Sequence, residues 1–285
     1  MPKTYNDIYI EARKRLREKG IASHSLEARL IIAHVANKSM DALMRELNLY
    51  TSEEVALKAS ELVDKRLSGE PVAYITGSWE FYGMPMVVTR DVLIPRMDTE
   101  VLVETAIKAL KGRKMDARII DLCTGSGCIG CAIAKELPAT RVVLADISRE
   151  ALGVARANVM KNKLNPRVTC VETDALSTPP MMLGSFDLLT CNPPYIPTAD
   201  ISGLDTSVKD YEPIMALDGG TDGLEFYRAI ITKWHNVVRI GGLVIFEVGI
   251  GQAEAVADIM RASSMSNIGF AKDTLGIDRV VFGNI

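Results

Sequence analysis

Residues 118–130 read RIIDLCTGSGCIG, and this stretch decides the fold. A mostly apolar run leads to Cys123 and is followed by Gly125, Gly127 and Gly130, in the spacing G-x-G-x-x-G. Glycines so spaced between a buried strand and a helix are typical of a loop whose backbone lies close to a bound cofactor. The stretch therefore predicts the first strand and helix of an α/β fold, with a cofactor site between them.

The sequence beyond this stretch alternates strand-like and helix-like patterns, which indicates a mostly parallel sheet with helices on both faces. Strands are predicted near residues 118–123, 141–146, 168–172, 186–191, 243–248, 267–271 and 279–283. A helix is predicted over residues 224–238. Because ligands of such sheets bind beyond the carboxyl ends of the central strands, the residues that directly follow the strands are the site candidates.

The glycine loop by itself leaves the cofactor open. Asp146 ends the second strand 21 residues beyond Gly125, a spacing that also fits a nicotinamide or flavin dinucleotide. Asp121 favours a different ligand, because a carboxylate beside the loop repels a pyrophosphate and attracts an ammonium or sulfonium group, by roughly 4 kcal/mol at about 4 Å. S-adenosylmethionine carries these cations. We expect Asp146 to accept its ribose hydroxyls and Asp174 to lie near its adenine amino group.

A second motif, Asn192-Pro193-Pro194-Tyr195, follows the apolar run 186–191 and is interpreted as a clamp for a planar amino group. The side-chain oxygen of Asn192 and the carbonyl of Pro193 are two acceptors for the two hydrogens of such a group. The prolines stiffen the turn, and Tyr195 offers a flat face for stacking. Asn-Pro is also ordinary turn chemistry. With the cofactor loop at the same sheet edge, however, the motif predicts in-line methyl transfer to nitrogen, with no strong general base.

Composition favours a protein or small-molecule substrate over nucleic acid. The 33 Lys and Arg residues against 36 Asp and Glu residues give a net charge of −3 and a pI near 5.8, without a basic excess. No run of about 18 uncharged apolar residues is present, and residues 1–20 are too charged for a secretory signal. We expect a soluble, cytoplasmic monomer that binds neither membranes nor nucleic acid directly.

The cysteines indicate a reducing compartment. They are Cys123, Cys128, Cys131, Cys170 and Cys191, an odd number that lies mostly in apolar runs. The first three match the C-x4-C-x2-C spacing of plant-type iron-sulfur proteins. Two of these fall in a predicted helix, so free thiols are the preferred interpretation. The three histidines are scattered, and no metal is predicted.

Residues 1–72 are predicted to form a small helical domain with a role in substrate recognition. Gly20 ends its first helix and Asn37 its second, while Thr51 and Glu54 form a capping box that opens a third helix. Leu57, Leu62 and Val63 are expected to face inward on that helix.

Residues 73–95 are predicted to be a β-hairpin linker, because short extended runs at 72–75, 86–88 and 92–94 are punctuated by glycine and proline. The methyltransferase domain is expected to span residues 96–285. Asp98 or Thr99 is the predicted cap of its first helix.

The motifs together resemble the release factor glutamine methyltransferase family over nearly the whole chain. The resemblance is carried by YITGSWEFYG at 74–83, LIPRMDTE at 93–100, DLCTGSG at 121–127, CNPPYI at 191–196, YEP at 211–213, ALDGGTDGL at 216–224, Tyr227-Arg228 and GIDRVV at 276–281. It implies a seven-stranded Rossmann-like methyltransferase sheet joined by a β-hairpin to a small N-terminal helical domain.

The resemblance also implies an activity: methylation of the side-chain amide nitrogen (N5) of the glutamine in the Gly-Gly-Gln motif of class I peptide release factors, with S-adenosyl-L-homocysteine as the second product. The glutamine would be held by residues 192–195. The cofactor residues implied are Cys123, Thr124, Gly125, Ser126, Gly127, Asp146 and Asn192. The long loop 211–223 is expected to contact the release factor.

Three positions depart from the family pattern. Cys123 replaces a usual glycine beside the cofactor, and Met97 replaces a usual proline at a helix start. Ala175 stands where some members place an aromatic residue against the adenine, which puts that contact in doubt.

Three alternatives remain open. The acceptor could be a glutamine of a ribosomal protein, or adenine N6 in a nucleic acid, although the sequence contains neither a basic groove nor a target-recognition insert. The chain could also be a non-catalytic binding protein that kept the fold, which the intact set Asp121, Asp146 and Asn192 disfavours.

Overall fold

The computed structural model describes residues 2–111 and 116–285, and the chain divides into two compact units. The helical unit contains the residues up to Ser78 together with Thr206–Tyr211. The sheet unit contains Trp79–Asp205 and Glu212–Ile285. No helix in the described part of the chain is both long and apolar enough to cross a membrane.

The helical unit is built from amphipathic helices that bury one face each. They are α1 (Tyr5–Glu18), α2 (His24–Val35), α3 (Met40–Arg45), α4 (Glu53–Leu67) and α5 (Val72–Thr76), with the short α9 (Thr206–Lys209) from later in the chain. Leu16, Ile31, Ile32 and Leu43 are fully buried. As predicted, α1 stops before Gly20, which has a φ of +84°, and α2 stops before Asn37, which has a φ of +50°.

Two predictions for α4 were wrong. The N-cap is Ser52, not Thr51, because the Ser52 hydroxyl accepts a hydrogen bond from the Val55 amide at 3.2 Å. Leu57 is 62% exposed, whereas Leu62 and Val63 are buried. Since five residues turn a helix by about 140° beyond a full turn, Leu57 and Leu62 cannot share one face.

The expectation of an extended segment at 72–75 was also wrong, because these residues form α5. Pro71 precedes the helix, and its carbonyl accepts hydrogen bonds from the amides of Tyr74 and Ile75 at 3.0 and 3.1 Å. A proline at the start of a helix costs no hydrogen bond, so it outweighs the strand preference of valine and isoleucine here. Residues 92–94 likewise form no strand. The hairpin that follows α5 consists of β1 (Ser78–Phe81) and β2 (Met84–Val87).

The sheet unit is organised around a seven-stranded sheet within the described residues, and every predicted strand is confirmed. The strands are β3 (Arg118–Leu122), β4 (Arg141–Asp146), β5 (Val168–Glu172), β6 (Phe186–Cys191), β7 (Val238–Glu247), β8 (Ser266–Lys272) and β9 (Asp278–Asn284). Their order is β5-β4-β3-β6-β7-β9-β8, with β3 to β7 parallel and β9 antiparallel to both neighbours.

β7 begins five residues earlier than predicted. Val238 pairs with Phe186 of β6 before the ladder shifts register at the glycine pair 241–242, whose composition obscures a strand in the sequence. The helix predicted over 224–238 is accordingly shorter, and forms α10 (Glu225–Lys233) followed by a 3₁₀ turn.

Helices cover both faces of the sheet and bury two apolar cores. Residues of α6 (Glu100–Lys111), α7 (Cys128–Glu136) and α8 (Arg149–Lys161) pack on one face. Residues of α10 and α11 (Ala253–Ala262) pack on the other, around the fully buried Trp234. The chain passes from β3 outward to β5 and then returns to β6 beside β3. The carboxyl ends of β3 and β6 therefore form the switch point at which such sheets bind ligands.

Candidate active site

Asp121 is enclosed beneath the loop that follows β3. It is fully buried, and its carboxylate accepts hydrogen bonds from the hydroxyls of Thr124 at 2.5 Å and Thr190 at 2.8 Å and from the Gly130 amide at 3.3 Å. Burial raises the pKa of Asp121 to about 6, against the lowering effect of these donors. The carboxylate therefore fixes the loop and is a source of negative charge directly below it.

The glycines of the loop serve different purposes. Gly125 has a φ of +52°, and an added Cβ there would meet no heavy atom within 4 Å. At Gly127, which has a φ of +79°, and at Gly130, a Cβ would lie 2.9 and 2.3 Å from the Leu144 side chain. Close packing of α7 on the sheet thus explains Gly127 and Gly130, whereas Gly125 alone borders open space.

Asp146 lies at the end of β4 and faces the same loop. Its carboxylate accepts hydrogen bonds from the amides of Gly125 at 2.8 Å and Ser148 at 3.0 Å, and burial raises its pKa. Each oxygen keeps a second lone pair for a hydroxyl donor. Ser126 is buried in the loop, and its carbonyl accepts a hydrogen bond from Asn158 at 2.9 Å.

Asp174 and Ala175 follow β5. The Asp174 carboxylate accepts hydrogen bonds from the Leu176 amide at 2.8 Å and the Ser177 hydroxyl at 2.7 Å, so it stabilises its own turn. Ala175 is buried, and its carbonyl accepts a hydrogen bond from the indole of Trp234 at 3.0 Å. The Ala175 side chain packs in the core and not at the surface of the crevice.

The motif Asn192-Pro193-Pro194-Tyr195 begins where β6 ends. Both prolines are buried, and Asn192 and Tyr195 are half-buried. The amide Nδ2 of Asn192 donates to the Thr99 hydroxyl at 3.4 Å. Thr99 is only 2% exposed. The prediction that Asp98 or Thr99 caps the first helix of this unit was wrong. Neither side chain caps the 3₁₀ turn Met97–Thr99 that leads into α6, and Thr99 instead turns inward to Asn192.

Strand register brings these motifs to one edge of the sheet. Leu122 pairs with Ala145 on one side and with Cys191 on the other. Because these strands are parallel, the loop after β3 has Asp146 on one flank and Asn192 on the other. Asp174 follows the next strand along, where Glu172 pairs with Asp146.

The segment 217–224 packs directly on the motif. The amide of Ile196 donates to the Leu217 carbonyl at 3.0 Å, and the amide of Gly219 donates to the Ile196 carbonyl at 2.8 Å. Gln252, at the start of α11, donates to the Tyr195 carbonyl at 2.9 Å. Burial raises the pKa of Tyr195 to about 12, so its hydroxyl stays neutral. The turn is thus held through its backbone from two sides.

Ion pairs join the segment before α6 to residues that lie far away in the chain. Arg96 contacts Glu212 at 2.5 Å, and the buried Glu212 also accepts from the Ile94 amide at 3.4 Å. Arg279 contacts Asp98 at 2.9 Å and Asp273 at 3.0 Å. These pairs fix the segment before α6, which carries Thr99, against the loop and against β9.

The cysteines do not converge. All five are free thiols. Cys128 and Cys131 belong to the core on one face of the sheet, whereas Cys123 packs against the core on the other. The three cysteines of the iron-sulfur spacing are therefore divided between the two faces of the sheet, and the described residues contain no group of three or more His, Cys, Asp or Glu side chains that could hold a metal.

Cys123 adopts a φ of +53°, a left-handed conformation that glycine adopts without cost. Burial raises the pKa of the Cys191 thiol well above its usual value, and the neighbouring Cys123 thiol raises it further.

Two residues of this region were missed from the sequence as site candidates, namely Thr99 and Glu247. Glu247 ends β7, next to the end of β6, and is 3% exposed. Burial raises the pKa of its carboxyl group to about 7, against the lowering effect of the neighbouring Thr99 and Asn192 side chains. The rule that ligands gather beyond the carboxyl ends of strands could have found Glu247, had it been applied to β7.

A sheet of this order with a glycine loop at its switch point defines the Rossmann-like methyltransferases, which in general use S-adenosylmethionine. Residues 96–203 match the family methyltransferase small domain, and residues 7–77 match the PrmC N-terminal domain. A crystal structure of the hMettl16 catalytic domain superposes with a TM-score of 0.59 at 18% identity, over 89% of this chain and 92% of that one, and shows the same fold.

Curated relatives identify the family within this class. The release factor glutamine methyltransferase of Geobacter sulfurreducens is 40% identical over 270 residues, which cover 95% of this chain and 93% of that protein. The protein of the same name from Thermodesulfovibrio yellowstonii is 41% identical over 256 residues, or 90% of each chain. The chain belongs to the release factor glutamine methyltransferase family.

Proposed function

We propose that this methyltransferase transfers a methyl group from S-adenosylmethionine to the side-chain amide nitrogen of the glutamine in the Gly-Gly-Gln motif of class I release factors. One observation carries the proposal. Asn192 stands at the switch point of the sheet, beside the glycine loop, and its Nδ2 donates a hydrogen bond to the Thr99 hydroxyl at 3.4 Å. The names of the relatives supply the substrate.

The residues present fit the cofactor. Open space at Gly125 would let its backbone approach a ligand, and Asp146, which accepts from the Gly125 amide, would accept the ribose hydroxyls. Cys123, Thr124, Ser126 and Gly127 complete the loop. Asp121 is buried beneath the loop, so its negative charge would attract the cationic methionine end of the ligand at a distance and without direct contact. Asp174 and Ala175 would border the adenine.

Bound S-adenosylmethionine supplies an electrophilic methyl group. The chain's own task is to position the acceptor nitrogen, which is a poor nucleophile because its lone pair is delocalised into the amide. The oxygen of Asn192 and the carbonyl of Pro193 accept its two hydrogens, Pro194 stiffens the turn, and the Tyr195 ring stacks on the amide plane. Two acceptors aimed at the NH2 group stabilise the positive charge that develops on nitrogen in the transition state.

The helical unit and the loop 211–223 are proposed as the surfaces that recognise the release factor. Support comes from the match of residues 7–77 to a family-specific domain and from the exposed side chains of Ile214 and Met215 in the loop. The enzyme is proposed to act as a cytoplasmic monomer that does not bind nucleic acid directly.

The test is a methyl-transfer assay with radiolabelled S-adenosylmethionine and three separate acceptors: a class I release factor, a ribosomal-protein mixture and adenine-containing DNA. Label is expected in the release factor alone. A release factor whose Gly-Gly-Gln glutamine is replaced by glutamate is the matched control and should take up none. Label that appears only in ribosomal protein or in DNA would refute the proposal and select the corresponding alternative.

A further inference from the structure

Glu247 lies beside the residue proposed to hold the acceptor. β6 and β7 are parallel, and Cys191 pairs with Phe246. The next residue along each strand is Asn192 on β6 and Glu247 on β7, so the two side chains emerge together at the sheet edge. The side chains of Asn192 and Thr99 are polar neighbours of the Glu247 carboxylate and lower its pKa, and the Nδ2 of Asn192 donates to the Thr99 hydroxyl at 3.4 Å.

The burial of this carboxylate requires an explanation. Glu247 is 3% exposed, and its Oε2 has no hydrogen-bond partner among the described residues. A buried polar atom without a partner is costly and is rare in folded proteins. An apolar residue or a glutamine would fill the same space without burying a charge, so a structural role alone does not account for a carboxylate here.

The surrounding charges neither neutralise Glu247 fully nor exclude its ionised form. Burial is the largest influence and raises its pKa to about 7. The Thr99 side chain, then the charge of Arg279 on β9, lower that pKa, as does the Asn192 amide, while Asp98 in the segment before α6 raises it. Tyr195 of the motif, Cys128 of α7 and Tyr227 of α10 are further titratable neighbours, and the Tyr227 hydroxyl donates to the backbone carbonyl of Glu247 at 2.8 Å.

We propose that Glu247 is a positioning residue that fixes which way the Asn192 carboxamide faces. The ionised carboxylate can only accept, so it binds the Nδ2 group and leaves Oδ1 directed at the substrate amide. Thr99 cannot make this distinction, because a hydroxyl both donates and accepts. The inference rests on the proposed role of Asn192 as an acceptor for the substrate NH2 group.

Protonation of Glu247 removes the distinction. A protonated carboxyl group can donate to Oδ1 of Asn192 and so stabilises the carboxamide turned by 180°. A turned Asn192 would present its own NH2 group to the NH2 group of the substrate. Because both groups are donors, no hydrogen bond could form between them. Competence for methyl transfer therefore follows the ionised form of Glu247, and is lost as the pH falls through its pKa.

The first test compares Glu247→Gln with wild type in kcat/KM for the release factor, at saturating S-adenosylmethionine and across pH 5.5 to 8.5. Wild type should lose activity as the pH falls, with an apparent pKa near 7. The variant should lack this step and be about 10- to 100-fold slower at pH 8, the loss expected when one hydrogen bond to a charged group is removed. Its Kd for S-adenosylmethionine should stay within about threefold of wild type, since Glu247 holds Asn192 and not the glycine loop.

Two further variants separate positioning from simple loss of structure. Glu254→Gln changes an exposed carboxylate on α11 and should leave rate and pH profile unchanged. Glu247→Asp keeps an ionisable acceptor and should retain a pH-dependent step in the same region, with a rate between wild type and Glu247→Gln. A Glu247→Gln enzyme with the wild-type rate and pH profile would overturn the inference.

A second measurement does not depend on the substrate. In protein labelled with 15N-asparagine, the side-chain NH2 signals of Asn192, assigned by their absence in Asn192→Ala, should shift with an apparent pKa near 7 and should not shift in Glu247→Gln. If wild type methylates no release factor, the proposed function fails while this measurement still decides the inference. Asn192 signals that are indifferent to pH would overturn the inference even in a fully active enzyme.

Discussion

Substitution of Gly219 by alanine should displace the clamp, residues 192–195, without changing any of its side chains. Gly219 lies in the segment that packs on residues 194–196. A Cβ added there would lie 2.7 Å from the Tyr195 Cα, 2.8 Å from the Pro194 carbonyl oxygen and 2.8 Å from the Tyr195 carbonyl carbon. All three are backbone atoms, so no side-chain rotation can relieve the contact.

The size of the effect follows from these distances. Ordinary contact begins at 3.4 Å, so the two backbone segments must separate by about 0.7 Å. A misplacement of about 1 Å in a catalytic arrangement can cost roughly 100-fold in rate. We expect kcat/KM for the release factor to fall about 30- to 100-fold, which corresponds to about 2 to 3 kcal/mol of lost transition-state stabilisation.

The assay is methyl transfer to the release factor, with the Kd for S-adenosylmethionine measured by calorimetry. That Kd should change by less than about threefold, because the nearest neighbours of an added Cβ at Gly219 belong to Pro194 and Tyr195 and not to the loop after β3. Gly203→Ala is the matched control, since Gly203 lies in the same connecting region and an added Cβ meets nothing within 4 Å. A Gly219→Ala enzyme that turns over at the Gly203→Ala rate would refute the reasoning.

Three other outcomes are expected. Asn192→Ala should abolish methyl transfer with little change in S-adenosylmethionine affinity, whereas Asp146→Ala should weaken that affinity first. Calorimetry together with the transfer assay checks both variants. Normal turnover by Asn192→Ala would contradict the interpretation of residues 192–195 as a clamp. Because the pKa of Asp121 is raised to about 6, its charge is lost as the pH falls from 7 to 5, and the affinity for the cationic cofactor should fall with it in wild type but not in Asp121→Asn. Trp234→Phe removes the donor to two carbonyls at 3.0 Å and should lower the free energy of unfolding in urea by about 2 to 4 kcal/mol; a loss below about 1 kcal/mol would show that water replaces the indole there.

The strands were predictable because each central one is a short, nearly continuous apolar run bounded by polar or glycine residues, as expected when both faces of a sheet are covered. The errors occurred where local preference met tertiary context. Residues 72–76 contain strand-favouring side chains but follow a proline suited to a helix start, and Leu57 was assigned to a face that its helical position excludes. The early start of β7 was hidden by glycines.

The candidate site divides in the same way. The glycine loop, Asp146 and the Asn192 motif are local in sequence and directly follow strands, so patterns were enough to select them. Thr99 and Glu247 acquire their meaning only when β6, β7 and the segment before α6 meet at Asn192, a relation set by strand order. A single glutamate at the end of an apolar run has no distinguishing mark in the sequence.

Strand order also has a practical consequence for anyone who wishes to redesign this enzyme. Apart from Asn192, every loop residue proposed to touch the methyl donor lies on the β3–β5 flank, whereas the opposite side is surrounded by Thr99, the 192–195 turn, the 217–224 segment and Glu247. A mutant library aimed at new acceptors can therefore be confined to the second flank and screened with the natural donor. Selection for altered donors would use the first flank, and the two libraries could be recombined with little interference.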